Sequence, residues 1–164
     1  MKQYAAPWGK LLIWTSMVAS AICVGVTISI AIMVPSDTDF TGPVRWIALL
    51  PVVIVLITLL FMVRGYVVTA DEIVVERPFW STRFERARLH SASIDPEALR
   101  GSLRLFGNGG MFSFTGLFWN SKLGRFRAFI TDPRRSVILR FADRIVVISP
   151  ADPDAFVRDV APRR

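Results

Sequence analysis

Hydrophobic and polar positions fall into two regimes along this chain. In residues 11–34 (LLIWTSMVASAICVGVTISIAIMV) and 46–63 (WIALLPVVIVLITLLFMV) apolar residues run on without a single charge. At 1.5 Å per residue the first run reaches about 36 Å as a helix and the second about 27 Å, extended if Pro43 and Val44 join it, against a hydrocarbon core of roughly 30 Å. The two runs predict a transmembrane helical hairpin, over residues 11–34 and about 44–63. A core hairpin of a small soluble domain needs fewer consecutive apolar residues. Ala19-Ser20-Ala21 has the form of a signal-peptide cleavage box, but ICVGVTISIAIMV follows it instead of a polar start, so the first run reads as an uncleaved anchor.

From Gly65 onward the pattern alternates, and turn residues recur at short intervals. Strand-like runs are YVVT (66–69), EIVVERPFW (72–80), RFERARLHSASI (83–94) and SLRLF (102–106). MFSF and LFW then flank Thr115-Gly116, and RFRAFIT (125–131), SVILRF (136–141) and RIVVIS (144–149) follow. Short strands at this spacing predict an antiparallel sandwich or barrel. The last segment, SPADPDAFVRDV, places Ser149 or Asp152 as an N-cap and Pro150 or Pro153 at the first helical position. Phe156, Val157 and Val160 fall on one side, so a short amphipathic helix closes the domain and Phe156 is expected to plug one mouth of the barrel.

Charge adds a direction. The chain carries +7 with 52% apolar residues. Of its 20 basic residues, Lys2 and Lys10 precede the first run and Arg45 lies between the two. The other 17 follow the second run, with 11 acidic residues among them. The positive-inside bias then places both termini in the cytoplasm and the loop PSDTDFTGPVR outside, with Arg64 at the inner interface. The single cysteine, Cys23, lies mid-span and excludes an intramolecular disulfide or a cysteine cluster. His90 is equally alone, and no metal motif surrounds it.

The glycine-rich run GNGGMFSFTGLFWN invites a phosphate-loop reading that fails letter by letter. A dinucleotide loop needs a third glycine where Phe112 stands, and no glycine is followed by Lys-Ser or Lys-Thr. Asn108, Gly109 and Gly110 are expected instead to supply positive φ for a hairpin. Arg125, Phe126, Arg127 and Phe129 interleave base and aromatic as nucleic-acid platforms do. Strand period, however, sends Phe126, Ala128 and Ile130 to an apolar face and Arg125 and Arg127 to water. A basic surface tethered beside anionic lipid explains the charge without nucleic acid. No Ser-His-Asp set or carboxylate pair at a recognisable spacing supports an enzyme, and no cofactor is expected.

Strands followed by one helix, together with the ordered runs GSLRLFGNGGMF, GLFWN, LGRFRAF, VILR and IVVISPADPDAF, resemble the bacterial pleckstrin-homology (PH)-like domain of small membrane proteins. The resemblance extends from residue 66 to about residue 160. It implies a barrel plugged by its C-terminal helix, placed after one or two membrane spans, with no catalytic residues. Phosphoinositide-binding PH domains gather Lys and Arg around the first hairpin, whereas TADE here brings Asp71 and Glu72, so that pocket is not expected.

The expected fold is an α+β membrane protein, with a tail and two-helix transmembrane hairpin in residues 1–64 and a cytoplasmic PH-like antiparallel barrel or sandwich with one C-terminal helix in 65–164. The expected function is a non-catalytic binding or scaffold module at the bacterial inner membrane, contacting a protein partner or anionic lipid. The alternative is a regulatory subunit of a transport or channel assembly, against which stands the absence of ionisable residues within the two runs. Phe118, Trp119, Lys122, Arg125 and Arg127 form the candidate binding surface. Among Met111, Phe112, Phe114, Phe118 and Trp119 at least one side chain is expected to stay exposed, because a short hairpin cannot bury them all on one face. Ala21, Gly25 and Ser29 have the small-xxx-small spacing of a helix-packing face, toward the second span or another copy of the chain.

Overall fold

The computed structural model describes residues 1–33 and 43–161. Most of the segment expected to face outward, including Thr38, lies outside the described residues. Two helices come first, α1 (Lys10–Met33) and α2 (Pro43–Leu60), the second with Pro51 inside it. They lie side by side. On α1, the half-buried positions Ser20, Cys23, Thr27 and Ile30 recur at helical spacing while the intervening residues are mostly exposed. By length and composition α1 is able to cross a membrane, and α2, at 18 residues against 24, is shorter. The second helix also ends before its apolar run does. Val63, assigned by hydropathy to the span, is buried in the core of the β domain.

Residues 2–5, read from sequence as part of a tail, form the strand β1 (Lys2–Ala5). It lies antiparallel to β2 (Gly65–Val68), which pairs in turn with β3 (Glu72–Glu76), and β3 with β4 (Ser81–Glu85). The single run expected over residues 83–94 breaks at a 3-10 turn, Arg86–Arg88, and its second half is β5 (Leu89–Ile94) in the other sheet. That sheet adds β6 (Leu103–Gly109), β7 (Phe114–Asn120), β8 (Gly124–Ile130), β9 (Val137–Phe141) and β10 (Ile145–Ile148), in the order β5-β9-β10-β8-β7-β6. All neighbours are antiparallel except β8 and β10, which run parallel because β9 is inserted on the far side of β10. The closing helix α3 (Pro153–Val160) is capped by Asp152, whose carboxylate accepts from the Ala155 amide at 2.9 Å.

The six-stranded sheet buries both faces. One packs against the four-stranded sheet around Tyr66, Ile73, Val75, Leu139 and Ile148, and α3 drives Phe156 into this layer, fully buried. The other gathers Phe118, Phe126, Ala128, Ile130 and Val147 beneath Ala98 and Leu99 of the β5–β6 connection. Phe126, Ala128 and Ile130 do share an apolar face, but it is this second layer and not the space between the sheets.

Tyr66 locks the first layer. Its hydroxyl donates to the Phe129 carbonyl at 2.6 Å and accepts from the Ser149 amide at 3.1 Å, while Ser149 Oγ accepts from the Thr131 amide at 2.8 Å. Burial pushes the phenol up to about 12. A raised pKa means that its contribution is complete below the unfolded value near 10 and fades as the pH climbs through the folded one. Tyr66→Phe leaves two buried backbone groups unpaired. It is expected to cost about 1–3 kcal/mol at neutral pH and to flatten the alkaline loss of stability, read by denaturant titration at pH 7 and at alkaline pH.

Candidate functional site

The glycine-rich stretch is where the two helices meet the β domain. Gly107 and Gly116 are cross-strand partners with φ of 109° and 147°. A Cβ on Gly107 would stand 2.3 Å from the Thr115 carbonyl oxygen, and one on Gly116 would stand 2.1 Å from that of Phe106. Glycine is required at both because the two backbones approach where side chains would sit. The turn itself lies further on, over residues 110–113. There Asn108 Oδ1 accepts from the Met111 amide at 3.1 Å, and Gly110 and Phe112 take positive φ. Asn108 and Gly109, expected to supply positive φ, do not.

This turn is held by the helices. Thr15 Oγ1 of α1 donates to the Gly110 carbonyl at 2.7 Å, and Ser16 Oγ accepts from the Phe112 amide at 2.8 Å. Just beyond α2, the Phe61 carbonyl accepts from Ser113 Oγ at 3.0 Å. Small hydroxyl side chains thereby satisfy backbone groups that a tight turn exposes and a helix would otherwise bury.

Beside this junction a groove of about 740 Å³ opens between the sheets, with the end of α2 as one wall. Ile57 and Phe61 come from that end, Phe106 and Leu117 from the β6–β7 hairpin, and Phe129 from β8. The polar groups reaching it include two cations, Arg77 from the β3–β4 turn and Arg127 from β8. No carboxylate lines it among the described residues. Arg77 is held by aromatic faces, its Cζ 4.9 Å from the ring centroid of Phe129, 5.6 Å from Trp80 and 5.9 Å from Phe61. Its Nε is buried with no hydrogen-bond partner. Burial, and then the nearby Arg127 charge, hold the guanidinium below the usual arginine range. Glu76, adjacent in sequence, accepts from Gln3 Nε2 at 3.1 Å, on β1.

On the β3–β4 turn and along β6 apolar side chains stand in solvent. Phe79 is 78% exposed at the tip of the β3–β4 turn, and Trp80 beside it packs edge-on to Phe61 at 5.3 Å. On β6, an edge strand, Leu103, Leu105 and Phe106 are exposed, Phe106 at 80%, with a register shift between Arg104 and Phe106.

The residues expected to form one binding surface are dispersed. Phe118 is not on a surface: it is buried and stacks on Phe126 at 6.0 Å, because β7 turns it to the second layer. Trp119 and Arg125 are exposed cross-strand partners. Lys122 lies in the β7–β8 turn, ion-paired with Asp95 at 2.5 Å. At about 3.3 Å per residue, β7 puts that turn roughly 20 Å from the end that meets the helices. Only Arg127 reaches the groove. Of the five bulky hairpin residues, Trp119 is the exposed one, as a short hairpin requires. Ala21, Gly25 and Ser29 are exposed, with nothing within 4 Å of a Cβ on Gly25, so this stripe does not pack on α2.

Sequence reasoning missed Arg77, Phe79, Trp80 and Phe106. A signal for the first three was present, since Pro78 inside EIVVERPFW ends a strand and marks RPFW as a turn. The sequence matches the family described as Bacterial PH domain over residues 64–164. No curated protein and no solved structure matches the chain.

Proposed function

Because the chain belongs to the bacterial PH domain family, we propose that it is a non-catalytic binding module, held by α1 and α2 at the cytoplasmic face of a bacterial inner membrane, where it contacts anionic lipid or a protein partner. The observation that carries this reading is the gathering of Phe61, Phe79, Trp80, Arg64 and Arg77 where α2 enters the β domain. Aromatic rings with a polar edge and basic side chains favour the headgroup level, and each Lys or Arg near an anionic leaflet contributes about 1 kcal/mol. Arg64 lies four residues past the end of α2, just before β2, in the place of a cytoplasmic stop. Both helices belong to the anchor in this reading, α2 crossing with Pro43 to Leu60 and its flanking residues.

The topology is open to direct measurement. In a Cys23→Ser background, a cysteine introduced at Thr38 should react with an impermeant maleimide applied to the outside of cells, and one introduced at Ser121 should react only after permeabilisation. Labelling of both from outside, or of neither after membranes are opened, defeats the two-span arrangement. Recovery of the chain in the soluble fraction defeats the anchor altogether.

A further inference from the structure

We propose that the groove bounded by Arg77, Arg127 and the end of α2 is a binding site for one anionic glycerophospholipid, its phosphate between the two guanidinium groups and an acyl chain along Ile57, Phe61 and Leu117. This rests on the membrane placement proposed above.

Arg77 is the starting point. Phe129, Trp80 and Phe61 surround its guanidinium with π faces, which favour a cation but accept little from its N–H groups. The buried Nε therefore keeps a donor without an acceptor, a costly state for a buried polar group. Arg127 brings a second like charge to the same groove, and no carboxylate offsets the pair among the described residues. Phosphate oxygens offer acceptors to the outer N–H groups of the two guanidinium forks, which, unlike the Arg77 Nε, are not enclosed, and negative charge shared by both.

The remaining walls select the rest of the ligand. They are mostly apolar, with Thr58, Thr82, Asn108 and Thr115 as polar exceptions, and one of them is the end of an apolar helix. A soluble phosphate would leave those walls wet, whereas a lipid places its phosphate at the interface and its chain beside α2. The volume, about 740 Å³, is within the roughly 300–1,000 Å³ of small-molecule sites. The site also differs from an inositide pocket on the first hairpin of the domain, the β2–β3 turn, which carries Asp71.

The test uses the full chain purified in a neutral detergent. Short-chain phosphatidylglycerol, short-chain phosphatidylcholine and inorganic phosphate are titrated separately, and binding is read by native mass spectrometry and by the shift in thermal unfolding. Phosphatidylglycerol should bind about tenfold or more tightly than phosphatidylcholine, and inorganic phosphate should give no shift at the same concentrations. Arg77→Met, which keeps the stem against the aromatics, should lose about tenfold or more of the phosphatidylglycerol affinity. Arg77→Lys, retaining charge without the fork, should lose less, and Arg140→Met on β9 should match the unaltered chain. Near-UV circular dichroism establishes that each variant is folded, and Arg127→Met provides a second loss if Arg77→Met does not fold. Equal binding of both lipids, inorganic phosphate as effective as lipid, or affinity unmoved in folded Arg77→Met and Arg127→Met overturns the site. If these failures occur while the chain still fractionates with membranes and labels as above, the groove is wrong and the anchored module stands. Loss of membrane fractionation removes the module reading itself.

Discussion

Phe156→Ala is expected to lower the stability of the β domain by about 3–5 kcal/mol, the usual range for emptying a buried phenylalanine site. Phe156 is fully buried, with Tyr4 edge-on at 5.1 Å and Tyr66 at 6.4 Å. The three rings join elements from both ends and the middle of the chain, namely β1, β2 and α3. Collapse around the cavity is restricted, because Tyr66 is pinned by its hydrogen bonds to Phe129 of β8 and to Ser149 just past β10, and β1 is tied to α3 by the Lys2–Asp159 ion pair at 2.7 Å. With a total stability of about 5–15 kcal/mol typical of domains, a loss of this size is a large share. Thermal unfolding of the full chain in detergent, followed by near-UV circular dichroism, reads the effect. An unchanged melting temperature would mean that α3 does not plug the first layer. A fragment beginning at Gly65 is not a suitable substrate for this measurement, because it lacks β1 and with it Tyr4.

Gly116→Ala is expected to cost about 3 kcal/mol or more, combining an unfavourable φ with a collision between backbones. The added Cβ stands 2.1 Å from the Phe106 carbonyl oxygen and 2.9 Å from the Gly107 Cα, neither of which is the end of a flexible side chain. Relief requires β6 to move off β7, which would also displace Phe106 from the groove. Gly124→Ala separates the two contributions. Gly124 also has positive φ, 68°, but its added Cβ meets nothing within 4 Å, so only the conformational cost of about 1–2 kcal/mol applies. Urea titration of the three proteins should rank them in that order of loss. Equal stability of Gly116→Ala and Gly124→Ala would show that the close approach of β6 and β7 is not what demands glycine.

Much of the element inventory was legible because period and punctuation are local. Continuous apolar runs gave α1 and the apolar part of α2, alternation gave the strands after residue 65, and Asp152-Pro153 announced α3 with Phe156 on its buried side. The N-terminal strand was not legible. KQYA is a four-residue segment without periodicity, and it is extended because β2 offers it an open edge. The run over residues 83–94 has continuous strand character, yet its halves join different sheets at the Arg86–Arg88 turn. Val63 prolongs the apolar run of α2 but packs with Tyr66 and Phe156, since hydropathy does not distinguish lipid from a protein interior.

The candidate site divides along the same line. Alternation alone sorted Arg125 and Arg127 from Phe126 and Ala128, because strand side chains must alternate between faces. Which apolar face meets the other sheet and which lies beneath Ala98 depends on sheet order, and sheet order is set by partners far apart in the chain. Arg77 and Arg127 are 50 positions apart and Phe61 lies in another element again, so no local pattern relates them. By itself the sequence determined element types, the apolar helices, the basic balance and the family. Tertiary structure decided that two arginines and the end of α2 share one groove, because a cluster of that kind exists only once non-local strand pairing has brought its members together.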